Sequence, residues 1–95
     1  MKTYYVYMMA SKRNGTLYTG VTSNLVKRVY QHRNNAIEGF AKRYGVRMLV
    51  WYDTSEEVTS AIEKEKQIKA GNRKKKLQLI ETVNPDWRDL YEDII

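Results

Sequence analysis

The sequence predicts an α/β (α+β) fold in which a small three-stranded sheet, opened by an antiparallel hairpin, is flanked by helices. Two segments rich in aromatic and β-branched residues, residues 4–10 and 17–21, lie on either side of the hairpin signal Asn14-Gly15. A near-continuous apolar run over residues 46–52 predicts the third strand. Helix-period patterns with capping residues follow the hairpin and the third strand, so we expect helices to cover the sheet.

Bulk composition limits the classes of protein to which this chain can belong. Its 95 residues are expected to form one domain, residues 1–95, and its net charge of +6 favours a polyanionic partner. The absence of cysteine excludes disulfides, thiolate metal sites and a cysteine nucleophile, and a lone histidine excludes an all-histidine zinc site. No stretch approaches the roughly 20 apolar residues of a membrane-spanning helix. We therefore expect a soluble, cytoplasmic protein with no membrane partner.

The hairpin is expected to place two tyrosines on one face of the sheet. If Asn14 and Gly15 are the central residues of a type I′ turn, Ser11 opposes Tyr18 and Tyr7 opposes Thr22. Because side chains alternate with period two, Tyr7 and Tyr18 then share a face. A longer loop of the same parity keeps this arrangement, whereas a bulge does not. Most of the eight tyrosines need no explanation beyond filling strand positions.

The first helix is predicted over residues 25–33, with Ser23 as its N-cap. Its apolar stripe reaches His32, and Arg28 lies one turn earlier beside the same stripe. A lone arginine or histidine on a helix is usually incidental. Both lie next to the stripe that should pack on the tyrosine-bearing sheet, and this favours a functional role.

Residues 34–45 break the helical periodicity. Phe40 and Tyr44 can anchor a single helical turn there, and a substrate-facing loop and a plain connector both remain open. The apolar run over residues 46–52 is then predicted to be the central strand, covered on both faces.

A longer helix is predicted over residues 55–70, with Thr54 and Glu57 forming a capping box. Glu65 falls on the apolar stripe of this helix, where another aliphatic side chain would be expected. Burying an unpaired charge is costly, so Glu65 is a candidate for contact with a cation or metal. The alternative is a surface ion pair between Glu65 and Lys69.

The last part of the chain combines a basic run with a predicted closing helix. Basic residues 73–76 begin a helix, where they oppose the macrodipole unless a polyanion compensates them, although lysine-rich helices are often simply soluble. Pro85 is expected to open a short helix with Asn84 before it as an N-cap, while Trp87 and Leu90 pack on the core.

The spacing of several short motifs resembles that of the GIY-YIG nuclease superfamily. The matching residues are Tyr5-Val6-Tyr7, Tyr18-Thr19-Gly20, Arg28, His32 and the helical series Ala61, Glu65, Ile68 and Lys69. The first triplet has Tyr5-Val6 where Gly-Ile would stand, and the second has Thr19 in the middle. The sequence is most similar to small bacterial members related to the nuclease module of the excision-repair incision enzyme and of intron-encoded homing endonucleases.

The resemblance implies hydrolysis of phosphodiester bonds with one Mg²⁺ or Mn²⁺ held by Glu65. Arg28 would bind the non-bridging phosphate oxygens, and Tyr7 would take the proton from the attacking water. Tyrosine ionises near pH 10, so this role requires Arg28 or the metal to lower its pKa. Tyr18 and His32 would orient the water or relay the proton.

Two further residues are expected to support the site, and a set of cations is expected to bind the substrate. Gly20 would allow a tight turn between strand and helix, and Asn84 matches an asparagine that helps to hold the site in many family members. DNA is favoured over RNA as the substrate. The predicted nucleic-acid contacts are Lys27, Lys69, Arg73, Lys74, Lys75 and Lys76.

Two other classes of function remain open. One is a non-catalytic nucleic-acid-binding module that keeps the fold and the basic surface. The other is an adaptor that binds a protein through Phe40, Tyr44 and Trp87. A homodimer or a protein partner is a further possibility, because the nuclease-like domain has no appended DNA-binding module with which to find its target.

Overall fold

Three antiparallel strands form the sheet, with the first strand in the middle. The computed structural model describes residues 2–95, and its strands are β1 (Tyr4–Ala10), β2 (Leu17–Thr22) and β3 (Met48–Ser55) in the order β2-β1-β3. The prediction that the third strand is central is wrong, since β3 lies at an edge. Its apolar run reflects cover above and below the sheet, and that cover does not require a neighbouring strand on each side.

Among the residues that the structure describes, five helices flank this sheet, and together with it they confirm the predicted α+β fold class. They are α1 (Leu25–Arg33), α2 (Phe40–Arg43), α3 (Val58–Ala70), α4 (Arg73–Val83) and α5 (Tyr91–Ile94). Within residues 2–95, no helix combines the length and the apolar character that crossing a bilayer requires.

The two faces of the sheet carry separate clusters of buried side chains. Val6, Met8 and Ala10 of β1 pack with α3 and α4, and we call this side the helix-pair face. Tyr7 and Met9 point to the other side, the tyrosine face, and pack with α1 and α2. The alternation along β1 therefore separates two cores that share one strand.

The loop of the hairpin is two residues longer than predicted. The Ser11 N–H donates to the Thr16 carbonyl at 3.0 Å, and Ser11 Oγ accepts from the Thr16 N–H at 2.9 Å. The ladder therefore closes at this pair, and the prediction of a two-residue turn at Asn14-Gly15 is wrong. The Ser11 hydroxyl gives the backbone at this position an extra hydrogen bond, which a propensity argument for Asn-Gly does not consider.

The change in loop length preserves the parity of the strands. Tyr7 pairs with Gly20, and Met9 pairs with Tyr18. Because Tyr7 and Met9 point to the same side of β1, Tyr7 and Tyr18 both belong to the tyrosine face, as predicted.

The capping residues predicted for α1 and α3 are both wrong, although α1 spans residues 25–33 as predicted. The side chain of Asn24, rather than that of Ser23, caps α1 by accepting from the Lys27 N–H at 3.1 Å. The capping box at the start of α3 does not form, because Thr54 pairs with Tyr5 in the β1–β3 ladder. Strand pairing continues to residue 55, and α3 begins only at residue 58.

A β-bulge in β3 explains how Asn84 is used. Met8 pairs with Trp51 and Met9 with Leu49, so Val50 is an extra residue in the ladder. The Asn84 amide donates to the Val50 carbonyl at 3.1 Å and so satisfies a buried backbone acceptor.

Asn84 also organises the chain after α4. Its amide donates to the Arg88 carbonyl at 2.8 Å, and its Oδ1 accepts from the Arg88 N–H at 3.0 Å. Asn84 is the C-cap of α4, so the prediction that it N-caps a helix opened by Pro85 is wrong. Trp87 and Leu90 pack on the two cores, as predicted.

Candidate active site

A buried tyrosine and a buried histidine meet on the tyrosine face. Tyr7 is fully buried in the middle of β1, and its hydroxyl oxygen lies 3.0 Å from Nε2 of His32. His32 reaches this position because it continues the buried stripe of α1 begun by Leu25 and Val29. The helical phase read from the sequence therefore aims His32 at the sheet, as predicted.

Tyr18 completes a compact cluster with this pair. Its ring centroid lies 6.2 Å from that of Tyr7 and 5.2 Å from that of His32. We refer to Tyr7, Tyr18 and His32 as the tyrosine–histidine cluster. Three of the four predicted catalytic side chains are thus in mutual contact, although they come from three different elements.

Gly20 allows Tyr7 to approach β2 closely. A Cβ atom built on Gly20 would lie only 2.6 Å from the Tyr7 hydroxyl oxygen and 2.7 Å from Cζ of its ring. Gly20 lies inside β2 and is not among the glycines with positive φ, so the predicted role in a tight turn is wrong. The position instead needs a residue without a side chain, because the Tyr7 ring occupies the space that a Cβ would fill.

The charge of Arg28 acts on both members of the buried pair. Burial raises the pKa of Tyr7 above its usual value and the neighbouring Tyr18 raises it further, while the guanidinium of Arg28 opposes this rise. Burial also lowers the pKa of His32, and the charge of Arg28 lowers it further. At neutral pH the pair therefore consists of a phenol and a neutral imidazole.

The second ring nitrogen of His32 indicates which tautomer this imidazole adopts. Nδ1 of His32 is buried and has no hydrogen-bond partner among residues 2–95. A buried N–H without an acceptor is less favourable than an unfilled acceptor, so the proton belongs on Nε2. His32 then donates to the oxygen of Tyr7, which leaves the Tyr7 hydroxyl proton free to donate to a bound group.

Glu65 lies on the other side of the sheet from this cluster. It continues the buried stripe of Ala61 and Ile68, which pack on the helix-pair face. Its side chain is only 16% exposed, and Oε2 lies 3.3 Å from Nζ of Lys69. The structure therefore combines both predicted features, a carboxylate on the buried stripe and an ion pair one turn apart.

The edge strand β2 connects the two parts of the predicted site. It carries Tyr18 and Gly20, it lies at one edge of the sheet, and α3 packs against it from the helix-pair face. A ligand that contacts Glu65 as well as the tyrosine–histidine cluster would have to reach both faces of the sheet, and β2 is the edge strand that lies between α3 and this cluster.

The donor set around Glu65 suits a metal ion that the substrate helps to hold. No three His, Cys, Asp or Glu side chains within residues 2–95 are grouped so that they could bind a metal by themselves. Magnesium commonly uses one or two carboxylates and completes its coordination with waters and phosphate oxygens. A largely buried carboxylate with one lysine partner fits that chemistry.

The predicted phosphate-binding cations have different environments. Lys27 is exposed on α1, whereas Lys69 pairs with Glu65. The guanidinium of Arg73 donates to the carbonyls of Asn14 and Gly15 at 2.7 and 2.8 Å, so it clamps the hairpin loop onto α4. The sequence offers no sign of this structural role.

The three lysines that follow Arg73 lie at or near the surface of α4. Lys74 and Lys75 are exposed and Lys76 is half-buried, and Lys75 and Lys76 line a cavity of about 570 Å³ between α3 and α4.

Comparison with known proteins assigns the chain to a family. A family model described as the GIY-YIG catalytic domain matches residues 3–78. The chain belongs to the GIY-YIG nuclease superfamily. A UPF0213 protein of Staphylococcus saprophyticus is 32% identical over 80 residues, which cover 84% of this chain and 96% of that protein. A UPF0213 protein of Clostridium perfringens is 38% identical over 76 residues, covering 80% of this chain and 81% of its own.

A solved structure supports the fold of this GIY-YIG chain. The solution NMR structure of a UPF0213 protein from Bacillus halodurans superimposes with a TM-score of 0.57 at 24% identity, and the match covers 92% of both chains. The family assignment agrees with the resemblance that the tyrosine, arginine and glutamate spacing predicts.

The segment around α2 faces the candidate site of this GIY-YIG domain, a point that the sequence alone left open. The Phe40 ring stacks on Tyr18 with centroids 6.4 Å apart, and Tyr44 lies 4.7 Å beyond Phe40. The segment therefore borders the tyrosine–histidine cluster. Trp87, by contrast, is only 2% exposed, so its predicted role as an exposed protein-binding anchor is wrong. Its indole packs in the core of the helix-pair face.

An ion pair that the sequence did not reveal fixes the end of α1. Arg33 binds Asp89, and the other carboxylate oxygen of Asp89 accepts from the N–H groups of Leu49 and Tyr91. Arg33 is therefore part of a structural ion pair and is not an ordinary solvated charge. No local signal could reveal the pair, because its two members are 56 residues apart in the chain.

Proposed function

We propose that this GIY-YIG domain is a metal-dependent endonuclease that hydrolyses phosphodiester bonds in nucleic acid, with DNA as the favoured substrate. The observation that carries the proposal is the buried hydrogen bond between Tyr7 and His32 beside the positive charge of Arg28. A phosphodiester repels nucleophiles with its own charge, so a hydrolase needs a cation for the phosphate and a base for water.

Each side chain has a role that follows from its chemistry. The guanidinium of Arg28 binds non-bridging phosphate oxygens through its planar set of donors. Tyr7 acts as the base in its phenolate form, after its hydroxyl proton has left to solvent, and the Nε2–H of His32 and the charge of Arg28 stabilise this anion. The phenolate oxygen then accepts a proton from the attacking water and returns to the neutral phenol. Tyr18, which packs against both rings, holds them in place and orients the water.

The raised pKa of Tyr7 makes its activation dependent on a bound cation. Burial keeps this side chain a phenol at neutral pH in the free protein, and Arg28 offsets that effect only in part. Glu65 is the carboxylate that we propose holds Mg²⁺ or Mn²⁺. When bound, the metal supplies positive charge that neutralises the phosphate and stabilises the leaving oxygen. The substrate strand lies along the free edge of β2, between the two faces of the sheet.

The test is nicking of supercoiled plasmid by purified protein in Mg²⁺ or Mn²⁺, with EDTA as the metal-free condition. Glu65→Gln removes the charge with little change in size, and Glu63→Gln, an exposed position on the same helix, is the matched control. We expect metal-dependent nicking in the wild type and in Glu63→Gln, and none in Glu65→Gln. Cleavage that survives in Glu65→Gln would reject Glu65 as the metal ligand.

A non-catalytic nucleic-acid-binding module is the second candidate, and the burial that raises the pKa of Tyr7 favours it. That reading expects no cleavage, together with salt-sensitive binding that is indifferent to EDTA and to Glu65→Gln. A cytoplasmic location and a homodimer or protein partner for targeting stay predictions.

A further inference from the structure

Aromatic contacts lead from the buried cluster out to the protein surface. His32 lies 5.2 Å from Tyr18, Tyr18 lies 6.4 Å from Phe40, and Phe40 lies 4.7 Å from Tyr44, measured between ring centroids. The planes of Tyr18 and Phe40 differ by 28°, which is a stacked arrangement. Phe40 and Tyr44 are each 48% exposed, so the outer end of this series of rings is open to solvent.

The local backbone holds these two rings at the surface. The four-residue helix α2 lies between Gly39, with φ of 118°, and Gly45, with φ of 65°. Only Ala41 of this helix is buried, and its carbonyl accepts from the Val46 N–H at 2.9 Å. The segment is therefore anchored through its backbone and one small side chain, while its large side chains face outward.

The charge around the rings indicates what they bind. The same segment carries three basic side chains, Lys42, Arg43 and Arg47. Its one acidic side chain, Glu38, pairs with Lys42. The guanidinium of Arg43 lies 5.6 Å from the centroid of the Tyr44 ring. Open aromatic faces within a positive surface suit a ligand that carries both flat rings and phosphates.

We propose that Phe40 and Tyr44 form a stacking subsite for an unpaired nucleobase next to the tyrosine–histidine cluster. The substrate is therefore a single strand or a locally unpaired segment, since a base inside a duplex has both of its faces covered by its neighbours. This inference rests on the proposed function for its position beside the scissile phosphate. Binding at the rings can nevertheless be measured without cleavage.

A purely protective role for the rings gives a different expectation. If Phe40 only shields Tyr18 from water, any apolar side chain of similar size suffices. Leucine keeps apolar cover and removes the aromatic face, so Phe40→Leu with Tyr44→Leu separates the two roles. Tyr30 is the matched control, because its ring is 58% exposed on α1 and contacts no other ring within residues 2–95.

The experiment measures fluorescence anisotropy of a labelled single strand of about 12 nucleotides, and of its duplex, in EDTA. We expect the wild type to bind the single strand more tightly than the duplex. The double leucine variant should lose about 5- to 100-fold in affinity for the single strand, with duplex binding unchanged. Tyr30→Leu should match the wild type, and Tyr44→Phe, which keeps the ring, should retain single-strand binding.

The outcomes separate this inference from the proposed nuclease activity. Ring-dependent binding of the single strand without any cleavage keeps the subsite and rejects the nuclease. Cleavage of duplex and single strand at equal rates, unaffected by the leucine substitutions, keeps the nuclease and rejects the subsite. Equal single-strand affinity in the wild type and the double variant also overturns the inference. If circular dichroism shows that the double variant is unfolded, Tyr44→Leu alone replaces it in the same comparison.

Discussion

Gly20→Ala tests the close approach between β1 and β2 on which the candidate site depends. The added Cβ would lie 2.6, 2.7 and 2.9 Å from Oη, Cζ and Cε1 of Tyr7. Ordinary contact between such atoms begins near 3.5 Å, so the Tyr7 ring must move by roughly 1 Å. This ring is fully buried and its hydroxyl is within hydrogen-bond distance of His32, which leaves it no free direction in which to move.

The expected cost combines two effects. Overpacking a buried site typically costs about 1–3 kcal/mol, and losing the hydrogen bond between Tyr7 and His32 adds about 1 kcal/mol. We therefore expect Gly20→Ala to lower the free energy of unfolding by about 2–4 kcal/mol. A displacement of roughly 1 Å at a reacting group also lowers activity by about 100-fold, so nicking should fall steeply even in folded protein.

Urea unfolding followed by circular dichroism, together with plasmid nicking, measures both effects. Gly71→Ala is the matched control, because Gly71 has φ of −72° and its added Cβ would lie 3.4 Å from the nearest atom, the Ile68 carbonyl oxygen. Its stability should be unchanged or higher by up to about 1 kcal/mol. If Gly20→Ala unfolds at the same urea concentration as the wild type and nicks at the same rate, the argument from close packing is wrong.

Three further predictions concern stability. Asn84→Ala should lower the free energy of unfolding in urea by about 2–4 kcal/mol, because it leaves the Val50 carbonyl without its donor. The control Asn72→Ala removes only a helix cap and should cost about 1 kcal/mol. Equal costs for the two substitutions would contradict this prediction. Asp89→Ala should cost about 1–3 kcal/mol by the same measurement, since two backbone N–H groups lose their acceptor, and a wild-type midpoint would refute it. Folding lowers the pKa of His32, so the free energy of unfolding should be highest at a pH where this histidine is neutral in the unfolded state as well, and it should fall as the pH drops below about 6.5. The substitution His32→Gln should weaken this fall between about pH 7.5 and about pH 5. An identical fall in both proteins would exclude His32 as its cause.

Patterns confined to one element were readable from the sequence. The β-prone run of β1, the helical stripe of α1 and the position of Glu65 on the stripe of α3 all follow from side-chain period within a single element. The prediction that Tyr7 and Tyr18 share a face of the sheet was also correct although the predicted loop length was wrong, since a change of two residues in the hairpin loop leaves both side chains on the same face.

Features that depend on competition between local and distant partners were not readable. Thr54 and Glu57 have the composition of a capping box, but pairing of Thr54 with Tyr5 across the sheet prevents it. Propensity describes what a segment does alone, and a neighbouring strand can override it with several hydrogen bonds. Gly20 was expected at a turn for the same reason, because only the assembled sheet brings the Tyr7 ring over it.

The sequence by itself determined the family, the fold class and the set of candidate site residues, since these depend on residue identity and spacing. Only the tertiary structure decided how those side chains are arranged: Tyr7, Tyr18 and His32 on one face of the sheet, and Glu65 on the other. It also decided that Phe40 and Tyr44 extend the cluster to the surface. Periodicity fixes which way a side chain points from its own helix or strand, whereas the neighbour that it meets depends on packing between segments far apart in the chain.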